Sequence, residues 1–242
     1  MGKLVDLELL NVKVGTYRTG TVAALKDASS LLAHAKMRRR QMSQMMIAYD
    51  HVTSKRRLAA GHYLISRKID GEFTCMLWQD GPNGGEVCSL NPYGTVRAGA
   101  PFHDEFAKLM AKSGVKRAII GGELHVNRAD RKRTRVHDVC RIARAPETAE
   151  DVASLNYAVF AIYDLDGVDM VMQPLEQLAK IRQLFAGGTR VHGIETLEGS
   201  EADIQAKFQQ WVIVEGGEGI VVRSEKFGWY KIKPRHTIAI TP

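Results

Sequence analysis

The stretch Ser66-Arg67-Lys68-Ile69-Asp70-Gly71-Glu72-Phe73 constrains this chain more than any other. It lies between two strand-like runs, His62-Tyr63-Leu64-Ile65 and Phe73-Thr74-Cys75-Met76-Leu77-Trp78. The spacing therefore predicts a strand that breaks at a glycine-containing turn and then resumes. Lys68 falls at the break, where a lysine can point inward. Taken alone, Lys-x-Asp-Gly also describes an ordinary charged turn after a strand, because Asp and Gly are common turn residues. What changes the balance is a series further along the chain: Gly122-Glu123-Leu124, Phe160 to Gly167, Glu218 to Arg223, and Trp229 to Lys233.

On these segments the chain resembles the covalent nucleotidyltransferase superfamily of ATP-dependent DNA ligases, RNA ligases and mRNA capping enzymes. Five motifs stand in the family's order between residues 68 and 233. The resemblance implies an α+β fold, two antiparallel β-sheets with flanking helices in an ATP-grasp-like layout around an ATP site. It makes Lys68 the nucleophile, forming a lysine-AMP phosphoramidate, with Arg67, Asp70 and Gly71 beside the nucleotide. Glu123 corresponds to a glutamate near the ribose and metal, and Phe160 to the aromatic residue that stacks on the purine. Glu218 helps to hold Mg²⁺, with Mn²⁺ as a substitute, and Lys231 and Lys233 face the phosphates.

The residue types suit that chemistry. Attack on the α-phosphorus of a nucleoside triphosphate needs a neutral nucleophile, positive charge and a metal on the phosphates, and a pocket for the base. Lysines two apart on a strand share a face, so Trp229, Lys231 and Lys233 group together and Tyr230 and Ile232 lie opposite. The same pattern also fits a plain edge strand with its lysines in solvent. Glu218 follows the Glu215-Gly216-Gly217 turn and precedes a β-branched run, so its carboxylate emerges at a strand's start. Phe160, by itself, reads as a core residue. Asp70, two residues past Lys68, is placed to orient it by a charge-assisted hydrogen bond, and Gly71 permits a tight backbone turn.

Several positions depart from the family pattern. Ser66 stands where DNA ligases commonly carry a carboxylate, and Phe73 where an arginine is frequent. The Ser-Arg pair of the next segment reads Ser89-Leu90, Gly121 replaces the aspartate of Asp-Gly-Glu, and Arg223 replaces a lysine. The last exchange keeps the charge and changes the geometry.

Composition sets the outer bounds. The 242 residues are 45% apolar and 25% charged, an ordinary soluble balance that fits one catalytic domain. No run of about 18 apolar residues is present, which excludes a spanning helix, and the N-terminus lacks the apolar core of a signal peptide. A cytoplasmic protein, or a nuclear one in a eukaryote, is expected. Cys75, Cys88 and Cys140 show no metal-type spacing and read as buried or partly buried thiols. The formal charge of +7 suits a polyanionic partner, and equally a moderately basic soluble protein.

Along the chain, residues 1–21 alternate weakly, as over 4–10, and read as a short strand or a lead-in, and 21–48 reads as a helix carrying Lys36, Arg38, Arg39 and Arg40. Lys55-Arg56-Arg57 forms a second basic cluster. Either cluster tracks phosphates or is simply a solvated face. Residues 80–85 read as a hairpin loop, 103–113 as a helix stopped by Gly114, 116–126 and 157–163 as strands, and 174–185 as a helix opened by Pro174. Arg128 to Arg135 reads as a basic loop, phosphate-contacting or merely solubilising. A shorter helix spans 200–211, with Ser200 as its N-cap.

The expected organisation is an N-terminal lead-in and basic helix over 1–50, a nucleotidyltransferase domain over 51–235, and at 236–242 the start of a truncated OB-fold, with Thr237 to Ile240 as its first strand. The expected activity is the adenylation step of an ATP-dependent DNA ligase acting on nicked duplex as a monomer without a membrane partner. An RNA ligase of the same superfamily and a non-catalytic nucleic-acid-binding relative are the alternatives.

Overall fold

The computed structural model describes residues 3–49, 60–82, 84–126, 135–224 and 228–234. The cluster at 55–57, residues 128–134 of the loop expected over 128–135, and the segment 236–242 lie outside the described residues. In chain order, strands β1 (Val12–Val14) and β2 (Tyr17–Thr21) precede helix α1 (Ala28–Met45), which runs into β3 (Met46–Tyr49). Next come β4 (Tyr63–Lys68), β5 (Glu72–Gln79), β6 (Glu86–Leu90) and β7 (Thr95–Ala98), then α2 (Pro101–Ser113) and β8 (Arg117–Val126). Helices α3 (Val136–Arg144) and α4 (Ala149–Ala153) lead to β9 (Leu155–Leu165), β10 (Val168–Asp169) and α5 (Pro174–Leu184). The chain ends with β11 (Val191–Gly193), β12 (Thr196–Gly199), α6 (Glu201–Phe208), a π-helical turn (Gln209–Val214), β13 (Gly219–Ser224) and β14 (Gly228–Ile232).

These elements form two compact units. The first comprises Met1–Gln41 and Asp70–Ile194, the second Met42–Ile69 and Glu195–Pro242. The first unit holds a nine-stranded sheet in the order β1-β2-β7-β6-β5-β8-β9-β10, with β11 added to β9 in parallel. Strand β5 is buried without a break from Glu72 to Trp78, with Phe73, Cys75, Met76, Leu77 and Trp78 as its apolar residues. Helix α2 packs into the same core through Phe102, Phe106 and Met110. Pro101 opens it, and the ring Nδ1 of His103 accepts the Ala100 N–H at 3.1 Å, which satisfies an otherwise orphaned donor. Gly114 closes it in the left-handed conformation, φ 76°.

The second unit holds a five-stranded sheet, β12-β4-β13-β14-β3. Tyr63, Ile65, Ile220, Val222 and Ile232 present one face of it to Ile204, Phe208, Trp211 and Val212. Both sheets are mainly antiparallel, as expected, with one parallel pair each, β11 with β9 and β14 with β3.

Three elements differ from their sequence pattern. Residues 7–9 form a 3₁₀ turn, capped by the Asp6 carboxylate that accepts the Glu8 N–H, where alternation suggested a strand. The helix expected over 21–48 is preceded by a 3₁₀ turn at Val22–Ala24 and ends at Met45, because Met46–Tyr49 pairs with β14. The helix expected over 200–211 stops at Phe208 and widens into the π turn. Among the described residues no helix is long and apolar enough to cross a membrane. Cys75 and Cys88 are buried and Cys140 half-buried, all three as free thiols.

Candidate active site

In the second unit, β4 pairs antiparallel with β13, setting Lys68 opposite Gly219 and Ser66 opposite Val221. Tyr63 and Ile65 point into the helix-covered core, so alternation puts Arg67 on that face and Lys68 on the other. Glu218 immediately precedes β13 and Lys233 immediately follows β14. Gly219 lets these strand ends close: a Cβ there would run into the Ile232 carbonyl and lie 3.2 Å from Lys233 Cγ. The result is a three-residue cluster. Lys68 Nζ donates to Glu218 Oε2 at 2.5 Å, and Lys233 Nζ lies 2.5 Å from Glu218 Oε1. The Glu218 side chain is only 9% exposed. Burial pushes its carboxyl pKa up, but the hydrogen bonds from Lys233 and Lys68 outweigh it and hold the pKa below the usual carboxylate value.

Lys231 lies within β14, opposite Val221, and Lys233 sits one residue past the strand's end. Arg67 is engaged elsewhere. Its Nε pairs with Glu195, its Nη2 lies 2.6 Å from Glu215 Oε2, and its guanidinium carbon stands 4.7 Å from the Trp211 ring centroid. The Glu195, Trp211 and Glu215 contacts carried no motif in the sequence, and only the Glu215-Gly216-Gly217 turn marked their neighbourhood.

Two departures from the family pattern touch each other. Ser66 Oγ lies 2.9 Å from Thr196 Oγ1 and 3.5 Å from an amino group of Arg223. Arg223 is buried, which lowers its pKa to about 10, and its guanidinium stands 5.4 Å from the Trp229 ring centroid. Ser66 is buried as well, so its hydroxyl is committed to this local set.

The first unit carries Asp70, Gly71, Glu123 and Phe160. Gly71 has no room for a side chain: a Cβ would collide with the Leu124 carbonyl and lie 2.7 Å from Glu123 Cγ. The glycine expected to serve a tight turn thus also admits β8 at Glu123. Phe73 lies opposite Glu123, and Glu123 opposite Ala158, so these side chains share a face of the sheet. Phe160 is the extra residue of a β-bulge, since Gly121 pairs with Ala161 and Gly122 with Val159. A bulge re-aims its side chain, and the Phe160 ring lies 6.0 Å from that of Phe73 at a 33° tilt. Arg39 of α1 stands 5.8 Å from the Phe73 ring centroid.

The remaining departures have local reasons. Gly121 lacks a side chain because the Tyr163 ring covers it, with Cζ 2.7 Å from where a Cβ would sit. Ser89 is buried against His103 Nε2 at 3.1 Å, and Leu90 is in the core. Glu72, beside Gly71, pairs with the fully buried Arg97 at 2.7 Å and accepts from Asn91 Nδ2 at 2.9 Å, a buried ion pair that the sequence did not announce.

Among the described residues no group of three or more His, Cys, Asp or Glu is gathered for a metal ion. Mg²⁺ is commonly held by one or two carboxylates with substrate phosphates. Glu218, an enclosed carboxylate whose two oxygens face the Lys68 and Lys233 ammonium groups, has the oxygen donors of that chemistry.

Residues 46–238 match a family model described as the ATP dependent DNA ligase domain. No curated protein sequence matches the chain. A solved structure named "Pmar-Lig_Pre" is similar with a TM-score of 0.54 at 12% identity, over 78% of this chain and 46% of its own. The chain thus spans about half the length of that protein. A structure from a study of Lig E DNA ligases gives 0.49 at 16% identity, over 78% of this chain and 68% of its own. The ATP-dependent DNA ligase of bacteriophage T7, in complex with ATP, gives 0.48 at 18% identity, over 79% and 68%. With the family model covering most of its length, the chain belongs to the ATP-dependent DNA ligase domain family.

Proposed function

We propose that this chain carries out the adenylation chemistry of a DNA ligase, with Lys68 as the nucleophile. The observation that carries the reading is the convergence of Lys68 and Lys233 on Glu218. A lysine on a rigid strand end, a second cation beside it and a carboxylate between them make up a phosphate-handling set. In the proposed reaction Lys68 Nζ, having lost a proton, forms a bond to the α-phosphorus of ATP while the bond to pyrophosphate breaks. The AMP is then passed to the 5′-phosphate of a nicked duplex, releasing the lysine, and attack by the adjacent 3′-hydroxyl on that phosphate expels AMP and joins the strand. Such sealing serves DNA repair and replication.

Within the first unit, Phe160 offers a ring for the purine and Glu123 a carboxylate suited to ribose hydroxyls. Mg²⁺, when bound, would supply charge neutralisation on the phosphates, and Glu218 and Glu123 are the carboxylates proposed to hold it. Lys231 and Lys233 are assigned to the triphosphate.

The test is covalent labelling with ATP or GTP carrying a labelled α-phosphate. Wild-type protein should acquire an acid-labile, base-resistant AMP adduct on Lys68 with ATP, and Lys68→Ala none. An adduct at full level in Lys68→Ala would remove the assignment.

A further inference from the structure

The contacts of Arg67 lie on the face of the sheet opposite to Lys68. Arg67 and Lys68 are consecutive on β4, so their side chains leave opposite faces of the sheet. Both nevertheless reach the same short segment. Lys68 meets Glu218 on one side, and Arg67 meets Glu215 at 2.6 Å on the other. Between those carboxylates stand Gly216, in the left-handed conformation at φ 73°, and Gly217, two residues with no side chain to fix their path.

The π-helical turn supplies the rest. The Gly217 N–H donates to the Trp211 carbonyl at 2.9 Å, and the Glu215 N–H to the Gln210 carbonyl at 3.1 Å. A Cβ on Gly217 would lie 2.5 Å from the Trp211 oxygen, so the turn is drawn tightly against that residue. Arg67 stacks on the Trp211 ring at 4.7 Å while pairing with Glu215 and with Glu195 at the lead-in to β12. π-Helical turns of this kind are frequent at functional sites. The guanidinium therefore fastens the start of the loop that delivers Glu218, at Trp211 and Glu215.

We propose that Arg67 is a positioning residue: through Glu215 and Trp211 it fixes the Gly216-Gly217-Glu218 turn, and so sets where Glu218 meets Lys68. This rests on the reading of Lys68 as the adenylated residue and replaces a direct nucleotide contact by Arg67. The ion pairs are partly exposed, with side-chain exposures of 30% for Arg67 and 39% for Glu215, so their share in global stability is small. Their effect falls on geometry, where a displacement of about 1 Å can slow a reaction about 100-fold. A lysine at position 67 has neither the planar fork nor the stacking surface, and should restore little.

The experiment compares Arg67→Met, Arg67→Lys, Glu215→Gln and the Arg67→Met/Glu215→Gln double variant with wild type. Two readouts are taken: the Lys68 adenylylation rate over a range of ATP concentrations, and amide hydrogen exchange of residues 213–219 without nucleotide. The expected result for Arg67→Met is a rate at saturating ATP reduced about tenfold or more, KM for ATP within about twofold, and faster exchange in 215–219. Glu215→Gln should move both readouts the same way, and the double variant should be no worse than the more severe single one. A raised KM with an unchanged saturating rate would overturn the proposal in favour of a nucleotide contact. Unchanged exchange at 215–219 would overturn it as well. If wild-type protein forms no adduct on Lys68, the proposed function fails, while the exchange measurement still reports whether Arg67 fixes the turn.

Discussion

Lys68 and Glu218 are 150 residues apart in sequence and 2.5 Å apart in space, and the other oxygen of the same carboxylate holds Lys233. One anion thus separates two ammonium groups that would otherwise repel. Replacing it by glutamine removes the charge and leaves a neutral amide between them. Glu218→Gln should lose most Lys68 adenylylation and also destabilise the fold by about 1–3 kcal/mol, less than a fully buried broken pair because Lys233 is half exposed. Urea denaturation and covalent labelling check the two effects separately. A variant that is adenylated at the wild-type rate would show that Glu218 only balances charge.

Acid should lower the stability of the protein over two pH ranges. Burial, with help from the Arg97 cation, lowers the His103 pKa from 6.5 to about 3, and burial beside His192 lowers that of His125 to about 4. Both rings are neutral in the folded chain and gain a proton on unfolding once the pH drops below 6.5. Stability is therefore lost as pH falls from 6.5 toward 4, by about 1.4 kcal/mol per pH unit for each ring. Glu218, whose folded pKa lies below 4.5, contributes stability above that value and loses it as pH falls through the folded pKa. His103→Asn keeps an acceptor for the Ala100 N–H but removes the buried ring and its contact with Ser89, so it should lower stability at neutral pH yet flatten the decline between pH 6.5 and 4. An unchanged slope, from denaturation curves across that range, would contradict the assignment of His103 as neutral.

How much of this was legible in the sequence depended on whether a feature is local. The strand ends at Lys68, the Gly114 stop of α2, the Pro174 start of α5 and the Ser200 cap are each written in a few neighbouring residues, and all stand in the structure. The pairing of Lys233 with Glu218 followed only because both lie at strand ends that β13 and β14 bring together. The partners of Arg67 were not legible. They depend on a π turn whose extra residue per turn has no distinctive composition, and on a glutamate whose only sequence mark is a glycine pair. The role of Gly71 was partly legible: glycine predicted freedom of the chain, and the structure adds the close approach to Leu124 and Glu123. The bulges of β9 left no sequence trace either, since a register shift is set by the partner strand.

That register shift gives Phe160 a property that separates its two possible roles. As the extra residue between Val159 and Ala161, it lies outside the regular pairing of β8 and β9. Its side chain is half-buried beside Phe73, whereas Ile162 and Val159 are fully enclosed in the core. Truncating the ring should therefore cost stability well short of the roughly 3–5 kcal/mol of a fully buried Phe→Ala change. If the ring stacks on the purine, the loss should appear in nucleotide affinity, because base–aromatic stacking contributes about 1–3 kcal/mol per base, or about 5- to 150-fold in binding. Phe160→Ala should then raise KM for ATP in Lys68 adenylylation within that range and leave the rate at saturating ATP within a few-fold, while Phe160→Tyr, which keeps the ring face, should stay near wild type. The measurement is the adenylylation rate against ATP concentration for the three proteins, beside their denaturation midpoints. A large stability loss with an unchanged KM would make Phe160 a core residue and move the purine elsewhere.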